Sequence, residues 1–342
     1  MKRWSPARLC LHLTAGLLLW LLAAALCLCV GSTGVHIPRG YELIFRRESV
    51  AVASLVGAGL GAAGAAYQAL LRNPLADPYL LGASSGAALA AYLWRLPAAT
   101  ALLAVGGSFA VEAGQQAFAF GGALAAVAVV LAITTMRSGR RLDPVTLLLV
   151  GVIVNAVTGA LYLLLNAVHK DLPGEGGEIS LLVGGILHVS QTQWFCALAL
   201  IAIGWIALLI LSGPLAVATL GDDQAQSLGV HIRRLRWIAL SAASLITAAA
   251  VAISGPIAFV GLVCPHVARR IVGADQRRLF PASTAAGAIL LCLADAVSRG
   301  LAMPNLVGSQ LQVGILTGLL GGPFFLVLLS GGFSARADAD RT

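Results

Sequence analysis

Residues 213–236 read GPLAVATLGDDQAQSLGVHIRRLR and separate two of the most apolar parts of the chain. No Asp, Glu, Lys or Arg occurs from Ser180 to Gly221, and none occurs from Trp237 to Ala268. The apolar runs on either side are long enough to cross a lipid bilayer as helices. A membrane protein with short loops has little use for such a polar insert unless something docks on it. We therefore expect residues 213–236 to be an exposed docking loop.

The composition supports a membrane-embedded, all-α chain. Of 342 residues, 59% are hydrophobic and 11% are charged, whereas soluble domains carry roughly 25% charged residues. Glycine occurs 39 times against 10 Phe and 6 Trp, which favours helices that approach each other closely within lipid. In a membrane protein the positions of the basic residues set its orientation in the bilayer, so the net charge of +8 does not indicate nucleic acid binding. We expect membrane lipid, and no nucleic acid, as a partner. Six cysteines without a C-x-x-C pair indicate buried side chains and no metal site.

Ten apolar runs are long enough to suggest transmembrane helices. The first follows a basic N-terminus, as in a signal peptide, but it is long enough to span the membrane, so we expect it to be retained as a helix and not cleaved. The predicted ranges are 9–30, 50–71, 79–94, 117–136, 144–166, 194–212, 237–254, 257–271, 280–300 and 311–330. With a cytoplasmic N-terminus, inner segments carry sixteen of the 22 Lys and Arg residues and outer segments carry six. This asymmetry predicts that both termini and residues 213–236 are cytoplasmic.

Small and polar residues interrupt the apolar pattern near residues 57–88. The second predicted helix carries closely spaced glycines, and RNPLADP (72–78) follows it with two prolines. Close helix packing is one interpretation of the glycines, and a wide translocation pathway is the other. The candidates for the pathway wall are Gly57, Gly61, Gly64, Gln68, Ser84 and Ser85.

Three segments resemble signatures of the FecCD-type permeases, the membrane subunits of ABC importers for iron chelates, haem and cobalamin. They are RNPLADPYLLGASSGA (72–87), LGDDQAQSLGV (220–230) and SGPIAFVGLVCPHVARRIVGADQRRLFP (254–281), and VGILTGLLGGPFFLVLL (313–329) is similar to the last helix of that family. The resemblance implies one permease domain over residues 1–342 with the type II ABC importer architecture. It also implies about ten transmembrane helices per subunit and a location in the bacterial inner membrane.

The resemblance further implies a homodimer, two cytoplasmic ATP-binding subunits and an extracytoplasmic substrate-binding protein. In the family, the loop matching 213–236 forms two short helices that enter a cleft of the ATPase. The implied coupling residues are Leu220, Gly221, Asp222, Asp223, Ala225, Leu228 and Gly229. The implied docking residues for the binding protein are Arg46, Arg47 and Arg299. The sequence contains no G-x-x-x-x-G-K-[ST] loop, so ATP and Mg are expected on the partner ATPase, and we expect no cofactor in this chain.

Two extracytoplasmic segments depart from the family pattern. Where the family commonly has Arg-Leu-Pro-Arg, this chain has Arg46-Arg47-Glu48-Ser49, and Glu48 would repel an acidic partner. Where the family usually has Glu-Leu-Pro, this chain has Gln310-Leu311-Gln312. Both departures affect the docking corner and the outer gate and leave the cytoplasmic motifs unchanged.

Two other classes of protein make different demands on the sequence. An ion-coupled secondary transporter needs buried ionisable groups, for which Asp295 and Glu112 are the acidic candidates. Asp295 lies four residues before Arg299, so an ion pair within one helix is the simpler interpretation. A membrane-embedded enzyme needs clustered His, Cys or carboxylates, and the six histidines are scattered. Iron chelates are the most frequent cargo in the family and are expected first, followed by cobalamin and haem. No residue in the sequence distinguishes these three cargo classes.

Overall fold

The computed structural model describes residues 6–32, 34–79, 82–96, 107–138, 144–168, 184–186, 189–301 and 311–339. Within these ranges the chain forms eleven helices and one two-stranded hairpin, which confirms the predicted all-α class. The helices are α1 (Pro6–Cys29), α2 (Tyr41–Leu71), α3 (Ala83–Trp94), α4 (Gly107–Ser138), α5 (Pro144–Val168), α6 (Gln191–Ala218), α7 (Asp222–Ser227), α8 (Ile232–Ser254), α9 (Val260–Val272), α10 (Gln276–Gly300) and α11 (Val313–Ala339).

Within the described part of the chain, fewer than ten helices have the length and apolarity needed to cross a membrane. Among the described residues six do so, and two shorter apolar helices cover Leu13–Cys29 and Val313–Leu328. The predicted total of ten is therefore not confirmed. The predicted third and eighth spans are α3 and α9, which have 12 and 13 residues. Helices of that length rise about 18–20 Å, less than the ~30 Å of a hydrocarbon core.

A β-hairpin that the sequence analysis did not predict joins α1 to α2. Its strands are β1 (Val30–Gly31) and β2 (Gly34–Val35), which pair in antiparallel fashion. We call this side of the bundle the hairpin end and the opposite side, which carries α7, the α7 end. The two names fix positions without reference to the membrane sides.

The segment 213–236 is shorter as a loop than expected. Residues 213–218 are the last turns of α6, which continues through Pro214, and α8 already begins at Ile232. The amide of Thr219 still bonds to the carbonyl of Leu215 at 3.2 Å, so the helical ladder resumes beyond the proline. One separate short helix, α7, lies between them instead of the two that the resemblance implied.

Helix α2 forms the centre of the bundle because its glycines allow two neighbours to approach its backbone. A Cβ atom at Gly57 would lie 2.2 Å from the carbonyl oxygen of Gly287 in α10. At Gly64 it would lie 1.9 Å from the carbonyl oxygen of Gly261 in α9. These distances leave no room for a side chain, so van der Waals contact between backbones holds α2, α9 and α10 together.

Replacement of Gly64 by Ala should therefore destabilise the bundle, because the methyl group must push α9 away from α2. We expect a loss of about 1–3 kcal/mol, the usual cost of overpacking. The measurement is the melting temperature of the detergent-purified chain. Gly121→Ala is the matched control, since Gly121 lies in α4 and a methyl group added there would meet no neighbouring helix within 4 Å. Equal melting temperatures for the two variants would contradict this packing account.

Candidate functional site

The α7 end presents a short helix between two long ones. Gly221 precedes α7 with a φ of 137°, and Gly229 follows it with a φ of 82°, values that L-residues with side chains rarely adopt. Ala225 is fully buried beneath the helix, and its carbonyl accepts a hydrogen bond from the amide of Val230 at 2.9 Å. The two glycines therefore set the direction of α7, and Ala225 fixes it against the bundle.

The outer side of α7 exposes apolar as well as polar groups. Leu220 and Leu228, on either side of the helix, are 61% and 65% exposed. Asp223 and Gly229 are exposed as well. These two leucines and the polar helix between them form a candidate contact surface for another protein.

Asp222 connects α7 to both neighbouring parts of the bundle. Its carboxylate forms an ion pair with Arg72, at the end of α2, and accepts hydrogen bonds from Nη2 of Arg236 in α8 at 3.0 and 3.1 Å. Nε of Arg72 also donates to the carbonyl of Ala218 at 2.9 Å. The sequence analysis assigned Asp222 to the coupling surface and did not foresee these two arginines. One carboxylate therefore connects α7 to both α2 and α8.

A groove of about 820 Å³ lies beside this ion-pair cluster. It runs between α2, α4, α7 and α8, and its polar lining includes Asp222, Gln226 and Arg236. The groove leaves α7 unsupported along one side, so the ion pairs and the buried Ala225 supply much of its attachment.

Replacement of Asp222 by Asn should loosen α7 while leaving the fold intact. Each of its ion pairs is about one-third exposed, and such pairs contribute about 0.2–1 kcal/mol. We expect a small fall in the melting temperature of the detergent-purified chain. Asp223→Asn is the control, because Asp223 is exposed on the same helix without an ion pair among the described residues. Equal melting temperatures for the two variants would contradict attachment of α7 through Asp222.

A second network at this end joins α2 to α9. The Gln68 amide donates to the carbonyls of Gly261 and Leu262 at 3.4 and 3.3 Å and accepts from Arg269 at 3.1 Å. Asp77, in the loop after α2, is 2% exposed and accepts a hydrogen bond from the amide of Tyr79 at 2.7 Å. Burial raises the pKa of Asp77 to about 6, although hydrogen bonds from the Tyr79 and Leu262 amides oppose the shift.

The raised pKa of Asp77 predicts a specific pH dependence of stability. The folded chain holds this proton more tightly than the unfolded chain, so the stability cost of burying the charge grows from about pH 4 to pH 6. Asp77→Asn removes the charge. The melting temperature of the variant minus that of the unsubstituted chain should therefore be larger at pH 8 than at pH 5. A difference between the two proteins that is the same at both pH values would contradict the assignment.

The arginines expected to dock a binding protein lie mostly inside the structure. Arg46 and Arg299 are 4% and 5% exposed. Arg46 donates to the carbonyls of Leu28 and His36 at 3.0 and 3.3 Å and pairs with Glu42. Arg299 donates to the carbonyls of Val30 and Cys27 and pairs with Asp295 at 2.9 Å. Both guanidinium groups therefore fasten the hairpin, which argues against their direct docking, and of the three Arg47 alone is exposed.

The six residues predicted for the pathway wall lie in two helix interfaces. The four on α2 face α9 and α10: Gly57, Gly61, Gly64 and Gln68. A Cβ atom added at Gly61 would lie 2.3 Å from the carbonyl oxygen of Ser283 in α10. Ser84 is buried, and Ser85 accepts a hydrogen bond from Thr158 of α5 at 2.8 Å. These contacts support close packing, the simpler interpretation. A role in the pathway stays a prediction, as does the outer gate near Gln312, while Gln310 lies outside the described residues.

The helical bundle defines a class of protein, the membrane permease of an ABC transporter. An inward-facing solved structure described as a putative metal-chelate type ABC transporter aligns with 93% of this chain and 98% of its own, at a TM-score of 0.72 and 28% identity. The model of the FecCD transport family matches residues 17–331, and the chain belongs to this family.

Two curated relatives agree with this membership. The uncharacterised ABC transporter permease protein YvrB of Bacillus subtilis (strain 168) is 40% identical over 303 residues, 87% of this chain and 82% of its own. The cobalamin import system permease protein BtuC of Halobacterium salinarum is 38% identical over 286 residues, 83% of this chain and 72% of its own. The chain is thus a multi-pass permease subunit of an ABC importer, and ATP hydrolysis belongs to a separate subunit.

Of the two acidic candidates for an ion-coupled transporter, one has a partner in the structure. Asp295 is paired with Arg299 one helical turn away, as the i,i+4 spacing predicted. The side chain of Glu112 lies outside the described residues. Among the residues that the structure does describe, no group of three His, Cys, Asp or Glu side chains could hold a metal ion. Membership of the FecCD transport family is what favours the ABC importer over the ion-coupled alternative.

Proposed function

We propose that this permease imports an iron chelate, with cobalamin and haem as the next cargo classes, and that its α7 end couples transport to ATP hydrolysis. The working assembly in this proposal is a homodimer with two cytoplasmic ATP-binding subunits and one extracytoplasmic binding protein. Both termini and α7 lie in the cytoplasm. The cargo class is supported by family membership and by relatives such as the cobalamin permease, and the orientation by the distribution of Lys and Arg.

One observation carries the coupling role. Helix α7 projects between two long helices with Leu220 and Leu228 exposed beside it, and its Asp222 is ion-paired to α2 and α8. Such a surface combines apolar contact area for a partner with a defined connection to the bundle. The residues proposed for the contact are Leu220, Gly221, Asp223, Leu228 and Gly229, with Asp222 and Ala225 as the attachment.

The proposed mechanism follows from these connections. ATP binding closes the two ATPase subunits, whose clefts hold α7 and displace it. The displacement reaches α2 through Arg72 and α8 through Arg236. Because α2 is packed backbone to backbone against α9 and α10, these helices move as one body and switch the dimer between outward-open and inward-open states. Nucleotide drives the switch by binding the two states with different affinity.

Docking of the binding protein is proposed to use Arg47 at the hairpin end. Arg47 is exposed, whereas Arg46 and Arg299 hold the hairpin from below. A rim charge of this kind steers the encounter with an acidic partner more than it adds affinity.

Gly229→Val should separate the permease from its ATPase, because a β-branched residue at a φ of 82° is strained and redirects the end of α7. We expect a tagged chain, purified in mild detergent from its native membrane, to retain an equal amount of a soluble ATPase. The variant should lose at least about tenfold of it and lose uptake, while still binding the extracytoplasmic protein. A bulky residue at Gly221 should act alike.

Gly40→Val is the matched control, since Gly40 also has a positive φ, of 59°, but lies at the hairpin end with no atom within 4 Å of an added Cβ. It should retain the ATPase. Equal ATPase recovery with Gly229→Val and with the unsubstituted chain would overturn coupling through α7. A chain that purifies without any ATPase, yet moves substrate on an ion gradient, would overturn the importer assignment itself.

A further inference from the structure

An apolar groove of about 480 Å³ opens between α1, α2, α6 and α10, away from the α7 end and its proposed coupling role. Its walls are alkyl and aromatic side chains, among them three tryptophans, Trp20, Trp194 and Trp205. Leu13 and Leu17 of α1 form one edge and are 44% and 54% exposed, so the groove opens at the apolar outer surface of the bundle. In a membrane this surface is in contact with lipid.

Hydrogen bonds hold two of the tryptophans in place as rigid walls. The indole N–H of Trp20 donates to Ser54 Oγ at 3.0 Å, and that of Trp205 donates to Thr284 Oγ1 at 3.0 Å. Trp205 also packs against Phe280 with a distance of 5.6 Å between ring centroids. Because each indole is anchored by its polar edge, the rings keep the groove open for an apolar occupant instead of collapsing into it.

The length of the groove fits one leaflet of a bilayer. Trp194 and Trp205, both in its lining, are eleven residues apart on α6, which corresponds to about 16 Å of helix. This is about half of a ~30 Å hydrocarbon core, the depth that one acyl chain occupies. An occupant of this length and polarity is an acyl chain rather than a segment of a polar cargo.

A smaller, more polar cavity continues the groove toward the hairpin end. It measures about 370 Å³ and shares Ala51 and Trp194 with the groove. Its polar lining is Arg47, Glu48 and Gln191. The indole N–H of Trp194, at the junction, has no hydrogen-bond partner among the described residues. Tryptophans with an apolar body and a free donor are typical of the membrane interface.

We propose that the two cavities together bind one glycerophospholipid. In the permease without its binding protein, the acyl chain lies in the groove and the phosphate lies beside the Arg47 guanidinium, the side chain that the proposed docking also uses. Trp194 lines the junction between the two cavities. Gln191 and Glu48 face the polar head, where Glu48 disfavours a second negative charge. The site places a lipid between α6 and α10, so the bound lipid adds contacts between the helix that leads to α7 and the glycine-packed core.

Native mass spectrometry of the full chain in maltoside micelles doped with dioleoyl-phosphatidylglycerol or with dioleoylglycerol tests this site. We expect one phospholipid to remain per chain at collision energies that remove all others. Ala58→Phe fills the groove from α2 and should reduce this retained lipid at least about tenfold. Ala199→Phe is the control, because Ala199 is exposed on α6 and does not line the groove.

The charge contact is tested separately with Arg47→Gln. It should lower retention of the phospholipid about fivefold, the ratio expected for one arginine near an anionic lipid surface, and leave dioleoylglycerol unchanged. Arg39→Gln, an exposed arginine outside both cavities, is the control. Added phosphatidylglycerol should also raise the melting temperature of the unsubstituted chain and not that of Ala58→Phe.

Equal lipid retention by Ala58→Phe and Ala199→Phe would overturn the site and leave only nonspecific lipid around the bundle. Equal retention of phosphatidylglycerol and dioleoylglycerol by the unsubstituted chain would overturn recognition of the phosphate. If Ala58→Phe is not monodisperse on size exclusion, Ala51→Phe, at the junction of the cavities, replaces it with the same expected loss. Neither result bears on whether α7 binds an ATPase.

Discussion

Backbone contact between helices is the constraint on which the rest of this structure depends. Lipid gives no hydrophobic drive for helices to associate, so their stability in a membrane comes from close packing. Here Gly57 and Gly287 bring α2 and α10 together, and Gly64 and Gly261 bring α2 and α9 together. A methyl group at Gly57, Gly64 or Gly287 would lie 2.2, 1.9 or 2.0 Å from a carbonyl oxygen of the facing helix and would separate the helices. The three helices therefore form one rigid unit at the centre of the bundle.

Helix α2 extends this unit to both ends of the molecule. At the hairpin end, Arg46 binds the carbonyl groups of the chain between α1 and α2, and Arg299 of α10 does the same from its own helix. At the α7 end, Arg72 pairs with Asp222. In the proposed coupling mechanism, a movement that begins at α7 acts on a body that reaches the opposite surface. This geometry is what a transporter needs if nucleotide binding on one side is to change access on the other.

The two surfaces use charge in different ways. At the α7 end the ion pairs are about one-third exposed, so each is weak enough to rearrange in the proposed movement of α7. At the hairpin end Arg46 of α2 and Arg299 of α10 are buried and bonded to backbone carbonyls, which fastens the hairpin to these two helices. The proposed lipid site lies between α1, α2, α6 and α10, toward the hairpin end. A lipid there would add contacts between α6 and the unit formed by α2, α9 and α10 without blocking α7.

The sequence alone determined the class of the protein, most of the helices and the family. Hydropathy placed the long helices because a run of apolar residues must satisfy its backbone internally in lipid. The spacing of Asp295 and Arg299 also predicted their ion pair, since i,i+4 positions meet on any helix. The sequence likewise located the exposed stretch around α7, because a polar insert cannot stay between two membrane-embedded runs.

Only the tertiary structure decided which residues the charges meet and which side the glycines face. Arg72 and Asp222 are 150 positions apart, and their pairing depends on how α2 packs beside α6 and α8. Arg46 and Arg299 were predicted from the sequence to be rim charges, yet the unpredicted hairpin folds over them and buries them. The glycines of α2 fitted a pathway wall as well as a packing seam until their neighbours were known. Local pattern fixes a helix and its polarity, but the partner of each side chain is set by packing between helices distant in the chain.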